Sequence, residues 1–277
     1  MIKNIVSFAA YIFAAMALIY VLVAVAAMIF QRRLLYIPDA ARVSPREAGL
    51  KDVSEVEMKT PDGETLIVWA APAKEGRPTL LYFHGNGGGL IDRRERIQRF
   101  TTAGYGLFIM SYRSYSGSTG AATEKANIAD ASLAFDTLVA RGVRPSEILI
   151  YGESLGTGVA VQTAAARKPG GVILDAPYTS MIAAAQQHYA WLPVKPFLID
   201  TYRSDQHIAN VTAPLLILHG ALDGIVGADL GRKLFALANQ PKDMVVFEQG
   251  NHTDLYNHGA LQSVNDFVQK HIKPVGQ

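Results

Sequence analysis

Five residues, Gly152-Glu153-Ser154-Leu155-Gly156, join the apolar run Ile148–Tyr151 to the helix-forming stretch Thr157–Arg167 with nothing between them. A strand that passes into a helix through so short a turn holds its central residue in strained backbone geometry, and glycines on either side remove the Cβ clashes. The chain is thereby committed to a strand-turn-helix unit with a serine at its apex. There the Ser154 hydroxyl leaves the sheet edge at a helix N-terminus, where the macrodipole favours developing negative charge.

Around this unit a pattern repeats. Short β-branched and aromatic runs, Thr79–His84, Tyr105–Tyr112, Glu147–Tyr151, Gly171–Leu174, Pro214–His219 and Met244–Phe247, alternate with helical stretches at about 90–103, 122–141, 155–167, 227–238 and 254–272. Continuous apolar runs suit strands buried on both faces of a parallel sheet, and the alternation implies right-handed crossovers. Val53–Thr60 and Glu64–Ala71 flank Pro61-Asp62-Gly63 and predict an antiparallel hairpin that opens the sheet. The expected class is α/β, with a mostly parallel, doubly wound sheet. Residues 177–212 break the rhythm: Tyr178, Trp191, Leu192, Pro193, Pro196, Phe197 and Tyr202 are too aromatic and proline-rich for a plain crossover helix. They predict a small cap over the sheet's C-terminal edge.

From Ile5 to Phe30 run 26 residues without a charge. At 1.5 Å per residue such a helix reaches about 39 Å, against a hydrocarbon core of ~30 Å, so a single tilted membrane span is expected. Residues 1–36 then form the anchor and juxtamembrane segment, and 37–277, roughly 240 residues, suit one α/β domain. A cleaved signal peptide is the rival, with Lys3 as its basic start and Ala24-Val25-Ala26 as its cleavage site. The apolar run exceeds the ~7–15 residues of a signal core and favours retention. Lys3 alone precedes the span, while Arg32, Arg33, Arg42, Arg46 and Lys51 follow it, which points the domain toward the cytoplasm. Leu34, Leu35 and Tyr36 are expected to pack on the domain, so the neighbouring arginines serve folding as well as topology.

A serine hydroxyl needs a base to take its proton, and the base needs an acid that fixes its tautomer. Leu216–His219 runs into Gly220-Ala221-Leu222-Asp223, and Met244–Phe247 is followed by Gly250-Asn251-His252. Both loops are expected on the sheet edge that carries Ser154. The plain alternatives are a turn aspartate at 223, with Asp175 as rival acid, and an ordinary loop histidine at 252. His188, His219 and His258, the last placed on the following helix, are expected to be structural or surface residues. The oxyanion needs preorganised N–H donors, each worth ~3–4 kcal/mol. His84-Gly85-Asn86-Gly87-Gly88-Gly89 supplies one and the N–H of Leu155 a second. With 26 basic against 24 acidic residues and no Lys/Arg run longer than two, nucleic acid is not an expected partner. The absence of cysteine excludes disulfides, thiolate catalysis and Cys-type zinc sites.

Taken together, the motifs of residues 79–260 resemble those of the α/β-hydrolase superfamily, within which the chain is similar to an anchored branch of bacterial lipase-like hydrolases and eukaryotic depalmitoylases. The likeness rests on Gln31-Arg32-Arg33-Leu34-Leu35-Tyr36-Ile37-Pro38, Phe83-His84-Gly85-Asn86-Gly87-Gly88, Ser154 in its pentapeptide, Asp175-Ala176-Pro177-Tyr178-Thr179-Ser180 and Gly250-Asn251-His252. It implies an α/β-hydrolase fold with Ser154, Asp223 and His252 as catalytic triad and Asn86 and Leu155 as oxyanion donors. No metal or organic cofactor is implied. The implied reaction is hydrolysis of a carboxylic ester or thioester of a small-molecule or lipid-like acyl substrate, reached from or near the bilayer. Amide or peptide hydrolysis is the alternative, and a membrane-tethered binding protein without catalysis a further one. Two departures stand out: Tyr112-Arg113-Ser114-Tyr115-Ser116 where the branch often has Tyr-Arg-Gly-Tyr-Gly, and Gly227 where it often has proline. Both are expected to loosen loops near the pocket.

Overall fold

The computed structural model describes residues 2–272; Met1 and the last five positions of the expected 37–277 domain lie outside the described residues. In chain order the strands are β1 (Ile37–Pro38), β2 (Ser54–Lys59), β3 (Thr65–Ala71), β4 (Thr79–Phe83), β5 (Gly87–Gly88), β6 (Gly106–Met110), β7 (Ile148–Glu153), β8 (Gly171–Asp175), β9 (Leu215–Gly220) and β10 (Lys242–Phe247). The helices are α1 (Ile2–Leu35), α2 (Arg94–Thr102), α3 (Glu124–Ala140), α4 (Leu155–Arg167), α5 (Met181–His188), α6 (Val194–Phe197), α7 (Ser204–His207), α8 (Ala228–Leu237) and α9 (Ala260–His271).

Eight strands make one sheet in the order β10-β9-β8-β7-β4-β6-β3-β2. Pairing is parallel from β10 to β6, and antiparallel where β3 joins β6 and β2. Side chains alternate between two apolar layers, as the pleat requires. Leu81, Phe83, Ile150 and Leu174 face α3 and α4, whereas Leu80, Tyr82, Leu149 and Ile173 face α2 and α9. The fold is α/β with a mostly parallel central sheet, and its C-terminal edge gathers the loops after β4, β7, β9 and β10. His258 lies ahead of α9, closing a short 3-10 turn, because the left-handed Gly259 starts the helix one residue later.

Residues 177–212 contain α5, α6 and α7, and their aromatic side chains divide into two sets. Tyr178 and Tyr202 are fully buried against α4, where a Cβ at Gly158 would overlap both. Tyr189, Trp191 and Phe197 stay exposed.

α1 is long and apolar enough to cross a membrane, and none of its most apolar window is buried by the rest of the chain. It enters the domain without a linker. Arg32 pairs with Asp200 at 2.8 Å, and Tyr36, 6% exposed, bonds both Asp200 (3.1 Å) and the Tyr202 hydroxyl (2.9 Å). Since Asn127 donates its amide to Tyr202 at 2.9 Å, the protons run in one direction, Asn127 to Tyr202 to Tyr36 to Asp200. Leu35 packs on the core, but Leu34 remains 65% exposed, contrary to the expected trio, because the helix turns it away from the domain. β1 then forms a two-stranded parallel sheet with β5, Ile37 opposite Gly87, a long-range pairing with no local sequence signal.

The serines at 114 and 116 do not loosen their loop. Both hold positive φ, 69° and 48°, the conformation that glycine adopts most readily. Ser116 is buried: its N–H donates to the Asp39 carbonyl at 2.8 Å and its hydroxyl accepts from the Leu90 N–H at 2.8 Å.

Deleting residues 1–30 is expected to leave a folded, soluble domain, whereas deleting 1–40 removes Tyr36 and β1 and should unfold it or lower its urea midpoint sharply. In the shorter deletion, Tyr36→Phe should cost about 1 kcal/mol and Tyr36→Ala about 3–5 kcal/mol, read from urea denaturation.

Candidate active site

Ser154 has φ 49° and ψ −116°, a sparsely populated conformation forced by the direct passage from β7 to α4. Both flanking glycines are required by packing. A Cβ at Gly152 would strike Gly156, Thr157 and Ala160, and one at Gly156 would overlap the Phe83 and His84 carbonyls of β4 and the loop after it. The turn is pinned from both sides: the Ser154 N–H donates to the Asp175 carbonyl at 2.8 Å, and the Thr157 N–H and hydroxyl donate to the Ser154 carbonyl at 2.9 and 2.7 Å. As the first residue of α4, Leu155 has an N–H without an intrahelical acceptor.

The structure brings the three sequence-predicted residues together. His252 Nε2 lies 2.9 Å from Ser154 Oγ, and His252 Nδ1 lies 2.7 Å from Asp223 Oδ2. A carboxylate only accepts, so Nδ1 carries the proton and Nε2 presents its lone pair to the serine hydroxyl. Asp223 stands at the C-terminal end of β9, with the N–H groups of Ile225 and Val226 both donating to Oδ1 at 2.8 Å. Burial raises the Asp223 carboxyl, but the bonds from His219, His252 and these backbone donors outweigh it and hold the group well below the usual range. Burial lowers His252, yet the Asp223 bond and charge, with Asp175 and Glu153 nearby, leave it net raised above 6.5.

Asp175 does not reach His252 by a hydrogen bond. Its Oδ2 accepts from the Tyr151 hydroxyl at 2.6 Å and pairs with Arg96 at 3.2 Å, while Oδ1 is buried without a partner. Burial is the largest influence on it and raises its carboxyl. Arg96 also pairs with Glu153 at 3.0 Å, and the Tyr82 hydroxyl donates to the same Glu153. Burial raises Glu153, but Arg96 and Arg93 bring it down to about 2. Arg93 extends this cluster to the loop after β4, donating to the carbonyls of Gly87 (2.6 Å) and Gly89 (3.2 Å).

That loop lies against the serine, since a Cβ at Gly85 would come 3.6 Å from Ser154 Cβ. His84 is fully buried, and burial with the nearby Arg93 charge lowers it to about 3, so the ring is neutral. Its Nδ1 lies 2.7 Å from the Gly85 carbonyl and must be the donor, leaving Nε2 to accept from the Tyr112 N–H at 3.4 Å. Gly85 C=O and Asn86 N–H belong to one planar peptide and point in opposite directions. Fixing the first therefore orients the second. The Asn86 side chain turns away and donates to the Leu35 carbonyl at the end of α1, at 3.0 Å.

Several residues escaped the sequence reading. His219, expected to be merely structural, lies 3.5 Å from Asp223 Oδ2 and 2.8 Å from the Val226 carbonyl, so its Nε2–H steadies the aspartate loop. Only its place four residues before Asp223 at the end of a strand hinted at this. Arg93 and Arg96, two arginines in an otherwise charged helix start, gave no signal at all.

No family model matches the chain. Among proteins of known sequence it is similar to alpha/beta hydrolase domain-containing protein 17B of Homo sapiens, 30% identical over 200 residues, covering 70% of this chain and 67% of that one. It is also similar to a lysophosphatidylserine lipase of Danio rerio, 28% identical over 251 residues, covering 76% of this chain and 65% of that one. Among solved structures, an esterase of Pyrococcus furiosus superposes with a TM-score of 0.66 at 18% identity, over 86% of this chain and 98% of that one.

Arg96, with its side chain only 12% exposed, neutralises two buried carboxylates at once. Arg96→Met should therefore cost about 3–5 kcal/mol, the range for breaking a buried ion pair from one side, as a drop in the urea midpoint.

Proposed function

The chain belongs to the α/β-hydrolase superfamily, and we propose that it is a membrane-anchored serine esterase or thioesterase that acts through Ser154, His252 and Asp223. The observation that carries this is the unbroken line of two hydrogen bonds, 2.9 Å from Ser154 to His252 and 2.7 Å from His252 to Asp223, at a strained strand-to-helix turn. Ser154 Oγ attacks the acyl carbon while its proton passes to His252 Nε2. The carbonyl oxygen, now negative, accepts from the N–H groups of Asn86 and Leu155. His252 returns the proton to the departing alkoxide or thiolate, and the acyl group stays on Ser154. Water then loses a proton to His252 and attacks the acyl-enzyme, releasing the carboxylic acid and restoring the serine hydroxyl. Asp223 keeps Nδ1 protonated throughout and stabilises the imidazolium.

A lipid-like acyl substrate fits this reading. Ser154 and His252 are only partly buried at the sheet edge, α1 is apolar on every side, and the zebrafish relative is named for a lysophospholipid substrate. We read α1 as a single membrane span with the domain on the cytoplasmic side, on the excess of basic residues after it. Arg32 and Arg42 within that excess also serve the fold, paired with Asp200 and with Glu55 and Glu57.

Ser154→Ala should abolish both p-nitrophenyl ester hydrolysis and covalent labelling by a fluorophosphonate while leaving the circular dichroism unchanged. Labelling retained at another serine would remove Ser154 from its role, and a wild-type chain that never labels would favour the binding-protein alternative. His252→Ala should cost as much as Ser154→Ala, because such groups act as a unit.

The base works only when neutral, so kcat/KM should rise with pH through an inflection above 6.5, the direction in which His252 is displaced. Asp223→Asn removes the raising bond and charge. It should move that inflection to lower pH and reduce kcat by about four orders of magnitude, with Asp175→Asn far milder. The opposite ranking in a pH-rate series would transfer the orienting role to Asp175.

A further inference from the structure

The exposed side of the 177–212 segment is not scattered. Trp191, Phe197 and Ile199 are 56%, 50% and 61% exposed, and all three lie along the C-terminal half of α1. The Tyr20 hydroxyl donates to the Trp191 carbonyl at 3.0 Å, and the two rings meet edge to face at 6.3 Å. Eleven residues further along the helix, Gln31 donates to the Phe197 carbonyl at 3.2 Å and accepts from the Ile199 N–H at 2.7 Å. Residues 191–199 thus run beside about 16 Å of α1.

This placement fixes depth. Whatever level Tyr20 occupies in a bilayer, Trp191 shares. The chain from Tyr189 to Pro193 is irregular, and irregular backbone facing lipid is not tolerated in hydrocarbon. Tyr20 therefore belongs near the hydrocarbon boundary, and the span proper shifts toward the N-terminus. Asn4 to Val23 is about 30 Å of helix, the thickness of the hydrocarbon core. The remaining apolar residues of α1, with Met28, Ile29 and Phe30 exposed, then stand at headgroup level beside Trp191, Phe197 and Ile199. Tryptophan and tyrosine are suited to that level, with an apolar body and a polar tip, and the exposed Lys195 between Trp191 and Phe197 suits anionic headgroups.

The same surface leads to the candidate site. His188, at the end of α5, meets the Ile225 carbonyl at 2.8 Å, two residues past Asp223. Leu222 and Ile225 on that loop are 60% and 58% exposed.

We propose that Trp191, at the headgroup–hydrocarbon boundary, and Phe197 and Ile199, further out along α1 toward the headgroups, form a second membrane-contacting surface, which sets the mouth of the site against the leaflet. It rests on the reading of α1 as a membrane span. The occupant is the lipid interface itself.

The full-length chain carries two tryptophans, and Trp69 is buried in the core, so the difference between wild type and Trp191→Phe isolates the fluorescence of Trp191. With the protein reconstituted in phosphatidylcholine vesicles brominated at shallow or deep acyl positions, that difference signal should be quenched, more by shallow than by deep bromine. Vesicle flotation is run alongside. A chain that floats with unquenched Trp191 overturns the second surface and leaves the anchor standing; a chain that does not float overturns the anchor and this surface with it. A double variant, Phe197→Glu with Ile199→Glu, should hydrolyse a vesicle-embedded ester several-fold more slowly while matching wild type on a short soluble ester. Equal rates on both substrates would also overturn the proposal.

Discussion

A serine at φ 49° and ψ −116° costs of order 1–3 kcal/mol and persists only where its surroundings leave no alternative. Here they leave none. The Ser154 N–H is taken by Asp175 at the end of β8, its carbonyl by Thr157 on α4, and α4 is pressed so closely on β7 and on the end of β4 that two glycines are obligatory. The central strands are therefore more than a core. Their register sets how far β7, β8 and β4 project past one another, and that projection holds the turn open. Relaxing it would withdraw the hydroxyl from His252 and the Leu155 N–H from the carbonyl it is proposed to meet.

Two buried aspartates beside the histidine show how environment assigns roles to identical side chains. Asp223 collects two backbone donors and two imidazoles and is held as an anion. Asp175 has one arginine shared with Glu153, one tyrosine and an oxygen with no partner, and burial raises it. The first is placed to orient a proton. The second belongs to a charged frame, Arg93, Arg96 and Glu153, that locks the turn at Ser154 to the glycine loop after β4.

Much of this was legible in the chain. The central parallel strands announced themselves as short, mostly apolar runs because burial on both faces leaves few polar positions, and the loops after β9 and β10 ended in an aspartate and a histidine that needed only a common edge to meet. Whatever depended on distant partners was opaque. Nothing in Ile37-Pro38 indicates a strand until Gly87 lies beside it, and nothing in Ser114 or Ser116 as residue types indicates positive φ. Those serines read as departures from a Tyr-Arg-Gly-Tyr-Gly pattern that would loosen the loop, whereas the chain keeps the positive φ that glycine favours and holds Ser116 by buried hydrogen bonds. The aromatic segment at 177–212 was recognised as unusual, but its division into buried tyrosines and an exposed belt follows from contacts with α4 and α1 that no local pattern encodes.

The β1–β5 ladder and the Asn86 bond to Leu35 join the end of α1 to the glycine loop within a few residues. A helix that passes into its domain this way is a stalk rather than a leash. With α1 as the proposed membrane span and Ser154 as the proposed nucleophile, it permits no swivelling search through the water above a surface, so the working height of the serine is fixed by the protein's own architecture, and selectivity becomes in part a matter of altitude. On that proposal, a substrate whose scissile bond lies too deep or too far out is excluded whatever its chemistry. Inserting four residues into the stalk would raise the site by about 6 Å, rotate its mouth by about 40°, and change which bonds are within reach.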